Sequence, residues 1–224
     1  MPDPRLAIFD HDGVLIDSLA LHQRAWLELG RRTGLPVTAR LIHDTFGMTN
    51  ASILRILIGG AVPAADVARY SDLKEICYRD LARGGLALME GARELLDGLT
   101  DQGVLLAIGS SAVRPNLDLT VSECGLIGRF AAIASVEDIE RGKPDPQVFL
   151  VAALKAGVDP KRAVVFEDAP VGIQAAKAAG MRAVGVETSH GAAALRAAGA
   201  DEVVNRLTNY DVKTLVHRLG NVER

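Results

Sequence analysis

At 224 residues, 49% of them hydrophobic, the chain can bury a core without crosslinks. Its formal charge of −3, with acids and bases interspersed, excludes the basic stripe of a nucleic-acid binder and the cationic helix of a membrane-surface protein, and leaves a small diffusible substrate as the expected partner. No stretch reaches the roughly 18 apolar residues of a membrane span. The start "MPDPRLAIFD" has no secretory-signal character, and Cys77 and Cys124 follow no metal or redox spacing, so a cytoplasmic protein with two buried free thiols is expected.

The first strand-like run, "RLAIFD", leads into "HDG", which sets Asp10 and Asp12 two residues apart and puts Gly13 after them. About ninety residues then pass before the next strand-like run, far more than one crossover helix needs. Within that interval "SLALHQRAWLELGRRTG" places Leu19, His22, Ala25, Trp26 and Leu29 on one helical face, and "NASILRILIG" and "DLKEICYRDLARG" follow with helical character. This predicts an inserted all-helical domain at 17–86 between two parts of a core, 1–16 and 87–224. Its two crossing points, near 16–18 and 84–89, must lie side by side because both leave the same core.

Beyond the insert, strands and helices alternate. "GARELLDGLTDQG" precedes "GVLLAIGS", "RPNLDLTVSECGL" precedes "FAAIAS", "DPQVFLVAALKAG" precedes "RAVVFED", and "PVGIQAAKAAG" precedes "RAVGVE". Several of the strand-like runs are near-continuously apolar, as parallel strands covered on both faces should be. The expected fold class is therefore α/β, a doubly wound, Rossmann-like parallel sheet carrying the helical insert. Asp145 is expected as an N-cap with Pro146 at the first helical position, and Gly157 and Gly180 are placed to end helices.

Residues two apart in extended chain face the same side, so Asp10 and Asp12 can both look out from the carboxyl end of the first strand, where ligands of doubly wound sheets bind. Taken alone, an Asp-x-Asp-Gly is an ordinary turn. Three further strand ends or loops carry matching chemistry. Ser110 and Ser111 end the second strand with hydroxyls and N–H groups suited to phosphoryl oxygens. Lys143 stands in a proline-bounded loop, and Glu167 with Asp168 end the fourth strand. Acids crowded in one crevice repel by about 4 kcal/mol per pair at about 4 Å and an effective dielectric of about 20. A hard divalent cation resolves this, and oxygen ligands without His or Cys point to Mg²⁺.

These motifs, in this order, resemble those of the haloacid dehalogenase superfamily of phosphotransferases, in the helical-cap branch that contains beta-phosphoglucomutase and many sugar-phosphate and phosphoglycolate phosphatases. "FDHDGVLIDS", Ser110, Lys143 in "GKPDP" and "FEDAPVGIQAAKAAGM" carry the resemblance, which spans essentially the whole chain. It implies a sheet ordered 3-2-1-4-5, with Asp10 and Asp168 sharing one metal. It also implies Asp10 as nucleophile and Asp12 as acid–base catalyst with a raised pKa, Asp12 binding the metal through its carbonyl. Glu167 would bind the metal directly or through water. The insert would be a cap closing over the site, with His22 helping to position the acid catalyst and Lys74 contacting substrate.

One departure bears on activity. The mutases clamp a second phosphate with a cap arginine, and "FGMTN" here puts Thr49 and Asn50 at the matching places. Asn cannot give a bidentate cationic grip. Arg114, after the second motif, either compensates or caps its helix against solvent. The expectation is a Mg²⁺-dependent phosphomonoester hydrolase acting as a monomer on a small phosphorylated metabolite, with a phosphosugar mutase as the alternative. A signalling receiver domain is argued against by chain length and by the insert, and a catalytically silent binding protein by retention of Asp10, Asp12, Ser110, Lys143 and Asp168 together.

Overall fold

The computed structural model of the protein describes residues 4–59, 62–208 and 210–220. Six parallel strands form one sheet: β1 (Arg5–Phe9), β2 (Val104–Gly109), β3 (Ala132–Ala134), β4 (Ala163–Glu167), β5 (Arg182–Val186) and β6 (Glu202–Val204), in the order β3-β2-β1-β4-β5-β6. The chain thus winds one way from β1 to β3 and the other way from β4 to β6. The topological switch falls between β1 and β4, where Phe9 pairs with Phe166 and the two rings stack at 4.9 Å.

The near-continuous apolar runs are explained by burial on both sides. Ala7 and Phe9 of β1 join a core with Leu95, Leu96 and Leu99 of α5 (Ala92–Asp101), Leu117 of α6 (Arg114–Glu123) and Leu215 of a carboxyl-terminal helix over Val212–Gly220. Leu6 and Ile8 point the other way, against Phe149 of α7 (Gln147–Ala156), Ile173 of α8 (Pro170–Ala178) and Leu195 of α9 (Ala192–Ala197). With α9 placed, the Val212–Gly220 helix is α10.

Among the described residues, four helices lie between β1 and α5: α1 (Leu19–Thr33), α2 (Ala39–Asp44), α3 (Asn50–Ile58) and α4 (Ala64–Ala82). They enclose apolar clusters of their own, one around Trp26, Leu29, Ile42, Ile53 and Leu54 and one around Ala25, Cys77, Tyr78 and Ala82. His22, Ala25, Trp26 and Leu29 are buried as the periodicity of α1 predicts. Where the chain leaves and re-enters the sheet domain, Ile16 bridges Leu88 in antiparallel fashion and Met89 N–H donates to Leu15 O at 2.8 Å.

The expected strand order holds and is extended by one strand, and one helix start needs correction. The sheet has a sixth strand, β6, whose three half-buried residues are too few for a readable apolar run. Helix α7 also begins at Gln147 rather than Pro146. Pro146 is itself the cap residue, and Asp145 acts one step earlier by accepting the Gln147 N–H at 3.1 Å. Gly157 ends α7 in the left-handed region, φ 68°, as expected.

Candidate active site

The sheet delivers its polar residues to one edge. Asp10 follows β1 directly, Ser110 follows β2, Glu167 is the last residue of β4, and Asp168 comes next. All four are buried, as are Asp12 and Lys143. Lys143 Nζ lies 2.9 Å from Asp10 Oδ1 and 2.7 Å from Glu167 Oε2, and 4.9 Å above the Phe149 ring. Burial opposes the lysine's charge, but Asp10 and Glu167 outweigh it and hold the ammonium well above its ordinary pKa.

Asp10, Glu167 and Asp168 each bring a carboxylate oxygen within 4.8 Å of the others. Glu167 Oε1 accepts the Asp168 and Ala169 N–H groups at 3.1 and 3.0 Å. Asp168 Oδ2 accepts from Thr188 Oγ1 at 3.3 Å, while its Oδ1 is buried with no partner. Burial raises the pKa of both acids, with Asp10 adding to the effect on Glu167, and Glu167 and Asp10 adding to it on Asp168. Three hard oxygen donors gathered in one place, with one orphaned oxygen, fit a divalent cation such as Mg²⁺. Two glycines make the trio possible. Gly13, at φ +79°, sits where a Cβ would collide with the Asp168 carboxylate, and Gly172 sits where one would collide with Glu167.

Asp12 is held from the cap side. Its Oδ1 accepts from Ser18 Oγ at 2.5 Å and lies 3.0 Å from His22 Nε2 and 3.1 Å from His11 Nδ1. His11 Nε2 in turn reaches Thr120 Oγ1 of α6 at 2.7 Å. Burial would raise the Asp12 pKa, but His11 and His22 pull it well below the ordinary carboxylate value. The expectation of a raised Asp12 is therefore not met, because two imidazoles face one carboxylate oxygen. His22 is bonded to Asp12 rather than merely packed, and its ring also stacks on Tyr78 at 4.3 Å.

A cavity separates the sheet edge from the inserted helices. Asp10, Asp12, Ser110 and Ser111 line its floor; His22, Lys74, Glu75, Asn50, Trp26 and Phe46 are among the residues of its roof. Ser110 Oγ accepts the Ala112 N–H at 3.1 Å, and Ser111 Oγ has no partner. Lys74 Nζ bonds His22 Nδ1 and Glu75 Oε1, both at 2.8 Å. Asn50 Nδ2 donates to the same Glu75 oxygen at 2.7 Å. Arg114 does not join these residues. It starts α6 on the surface, with Nε 2.8 Å from Asp118 Oδ1, so of its two readings the geometry supports the helix-end one. Glu75, His11, Ser18 and Asn116, whose Nδ2 donates to Glu75 Oε2 at 2.6 Å, belong to no sequence expectation. The signal for Glu75 is faint: it is one acid beside Lys74 in a helix with mixed polarity.

Comparison with known proteins places this architecture. The model of the haloacid dehalogenase-like hydrolase family matches residues 7–186. The chain belongs to the haloacid dehalogenase-like hydrolases. Among members with described activities it is 34% identical over 210 residues to validoxylamine A 7'-phosphate phosphatase of Streptomyces hygroscopicus subsp. limoneus, covering 91% of this chain and 94% of that one. It is 30% identical over 218 residues to beta-phosphoglucomutase of Bacillus subtilis, covering 94% and 93%. Among solved structures, a hydrolase from Pseudomonas syringae superposes with a TM-score of 0.84 at 28% identity, covering 91% of this chain and 94% of that one. The haloacid dehalogenase-like frame accounts for the parallel sheet and the helical insert. Among the described residues no helix is long and apolar enough to cross a membrane.

Proposed function

We propose that the protein is a Mg²⁺-dependent phosphomonoester hydrolase that acts on a small phosphorylated metabolite through an aspartyl phosphate on Asp10. The observation that carries this reading is the convergence on Asp10 of Lys143 at 2.9 Å and of the Glu167–Asp168 acids, below a cavity floored by Ser110 and Ser111. An Asp10 oxygen attacks phosphorus as the bond to the leaving-group oxygen breaks. Ser110, Ser111 and Lys143 hold the phosphoryl oxygens, whose charge they balance in the transition state. The leaving oxygen takes a proton from the protonated form of Asp12, which the second half-reaction regenerates, and His22 Nε2 lies 3.0 Å from its Oδ1. In the second half-reaction Asp12 accepts a proton from water, the water oxygen bonds to phosphorus, and the Asp10–phosphorus bond breaks to release phosphate. Asp12 is well suited to this base step, since the imidazoles favour its ionised form.

Asp10, Asp168 and the Asp12 carbonyl would hold Mg²⁺, with Glu167 bound directly or through water. When bound, the ion offsets the charge of the clustered carboxylates and of the phosphoryl oxygens. Residues 17–86 act as a cap that closes over the site and excludes water, and the crossings near 16–18 and 84–89 are its hinges. The protein functions as a monomer without nucleic-acid or membrane partners. The two free, buried cysteines agree with a reducing, cytoplasmic compartment.

Hydrolysis is favoured over mutase action by the state of Asn50. Its amide nitrogen is bonded to Glu75, so the position matching the clamping arginine of the mutases carries neither charge nor a spare donor fork. The test is phosphate release from a panel of phosphomonoesters with Mg²⁺, beta-glucose 1-phosphate included, with parallel assay for glucose 6-phosphate. Phosphate release supports the hydrolase. Glucose 6-phosphate with little free phosphate would make the protein a mutase, and neither product from any ester would make it a silent binding protein.

A further inference from the structure

The roof of the cavity contains a carboxylate that the phosphoryl-transfer chemistry does not use. Glu75, in α4, is 5% exposed and lines the cavity beside Lys74 and Asn50. Its Oε1 accepts from Asn50 Nδ2 at 2.7 Å and Lys74 Nζ at 2.8 Å, and its Oε2 accepts from Asn116 Nδ2 at 2.6 Å. Asn116 is itself fixed, since its Oδ1 accepts from Arg79 Nη1 at 3.1 Å. Three side chains from α3, α4 and α6 therefore hold this acid in one place, with Arg79 fixing the third, and the lysine keeps it charged.

The consequence concerns the leaving group, which must occupy the space between Asp10 and this roof. Lys74 is the one Lys or Arg among the residues lining the cavity, and its ammonium is already shared between Glu75 and His22 Nδ1. The roof charge of Lys74 and Glu75 sums to zero. A second phosphate or a carboxylate on the substrate would meet no unspent cation there and would lie beside the Glu75 carboxylate, whose partner ammonium is already shared with His22. An uncharged leaving group meets no such penalty. Trp26 and Phe46 offer apolar faces to C–H groups, and among the described residues no donor reaches Asn50 Oδ1, so that oxygen can accept a substrate hydroxyl.

We infer that Glu75 is a specificity-determining residue which restricts the enzyme to monoesters of uncharged, hydroxyl-rich alcohols and rejects leaving groups that carry a second anion. This selectivity works by repulsion of the wrong substrate rather than by an added attraction to the right one. It rests on the phosphatase reading above.

The experiment compares kcat/KM for glycerol 3-phosphate and glucitol 6-phosphate with that for 2-phosphoglycolate and glucose 1,6-bisphosphate, in the wild type, in Glu75→Gln and in Asn50→Lys. The wild type should favour the uncharged class by at least about tenfold. Glu75→Gln, which frees the Lys74 ammonium, should shrink that ratio by about tenfold, chiefly through a lower KM for the anionic class. Asn50→Lys adds a cation to the same roof without deleting the acid and should shift the ratio in the same direction, so the prediction survives if Glu75→Gln fails to fold. A general structural role for Glu75 would lower all four values together and leave the ratio unmoved. Equal wild-type rates on both classes, or an unchanged ratio in a variant that still turns over the uncharged esters, would overturn the inference while leaving the phosphatase standing. No turnover of any ester would overturn the phosphatase reading and this inference with it.

Discussion

Lys74 Nζ lies 2.8 Å from His22 Nδ1, and that contact decides which way the imidazole faces Asp12. An ammonium can only donate, so Nδ1 must accept and the ring proton sits on Nε2, 3.0 Å from Asp12 Oδ1. Helix α1 thereby aims an N–H donor at Asp12, the proposed acid–base group. His22→Phe, which keeps the stack on Tyr78 and removes the donor, is expected to lower kcat by about 10²-fold or more with little change in KM. Lys74→Met should give a smaller loss and alter the pH profile of kcat, because the tautomer is no longer fixed. Steady-state kinetics against pH checks both.

Gly13 is the tightest point of the carboxylate cluster. An alanine there would have to adopt φ +79° and put its methyl group into the Asp168 carboxylate. The left-handed backbone alone costs about 1–2 kcal/mol, and displacement of Asp168 should remove metal binding. Gly13→Ala is therefore expected to lower stability in urea modestly and to abolish Mg²⁺-dependent activity. Full activity in that variant would show that Asp168 need not stay where Gly13 lets it sit.

The three acids Asp10, Glu167 and Asp168 also predict how the metal couples to stability. A ligand that binds only the folded state, at about 100 times its Kd, stabilises by about 2.7 kcal/mol, which for a chain of this size is about 5–10 °C in Tm. Saturating Mg²⁺ should produce a rise of that order. Asp168→Asn should lose the rise yet melt higher than the wild type in EDTA, since it relieves a crowded pair of acids whose charged forms burial disfavours. Thermal melts of both proteins, with Mg²⁺ and with EDTA, provide the measurement.

Glu75 gives a pH dependence of opposite kind. Burial would raise its pKa, but the Lys74 ammonium and the hydrogen bonds it accepts from Lys74 and Asn50 bring it below the ordinary value of 4.5. The folded state thus binds the proton less readily than the unfolded state does. Its contribution to stability is complete above about pH 4.5 and is lost as the pH falls through the lower folded value. The wild type should be more stable than Glu75→Gln near neutrality, with the gap in Tm closing below about pH 4.5. A gap constant across that range would mean that the Glu75 charge contributes nothing to the fold.

Most parts of the site legible in the sequence share one property: they abut an apolar strand. Asp10, Ser110, Glu167 and Asp168 stand at the ends of runs that burial on both sheet faces makes near-continuous, so their polarity is conspicuous. Lys143 is announced by its neighbouring prolines. Glu75 and Asn116 have no such setting. On α4 and α6, polar residues are common, and an acid next to a lysine reads as a solvated face. Their burial arises only because α4 lies along α1 and meets α6 of the sheet domain. The Asp12 pKa is illegible for a similar reason. His11 is its chain neighbour, but His22 comes from another helix, and only their convergence on one oxygen reverses the effect of burial. The sixth strand escaped because three half-buried residues carry too little pattern.

Acid quenching of the Mg²⁺-loaded protein during turnover of its best phosphomonoester, followed by peptide mass analysis, tests whether Asp10 takes the phosphoryl group. A nucleophilic Asp10 should leave a hydroxylamine-labile phosphoryl adduct on its own peptide, with neither adduct nor phosphate release in Asp10→Asn. Phosphate release that persists in Asp10→Asn would contradict that role.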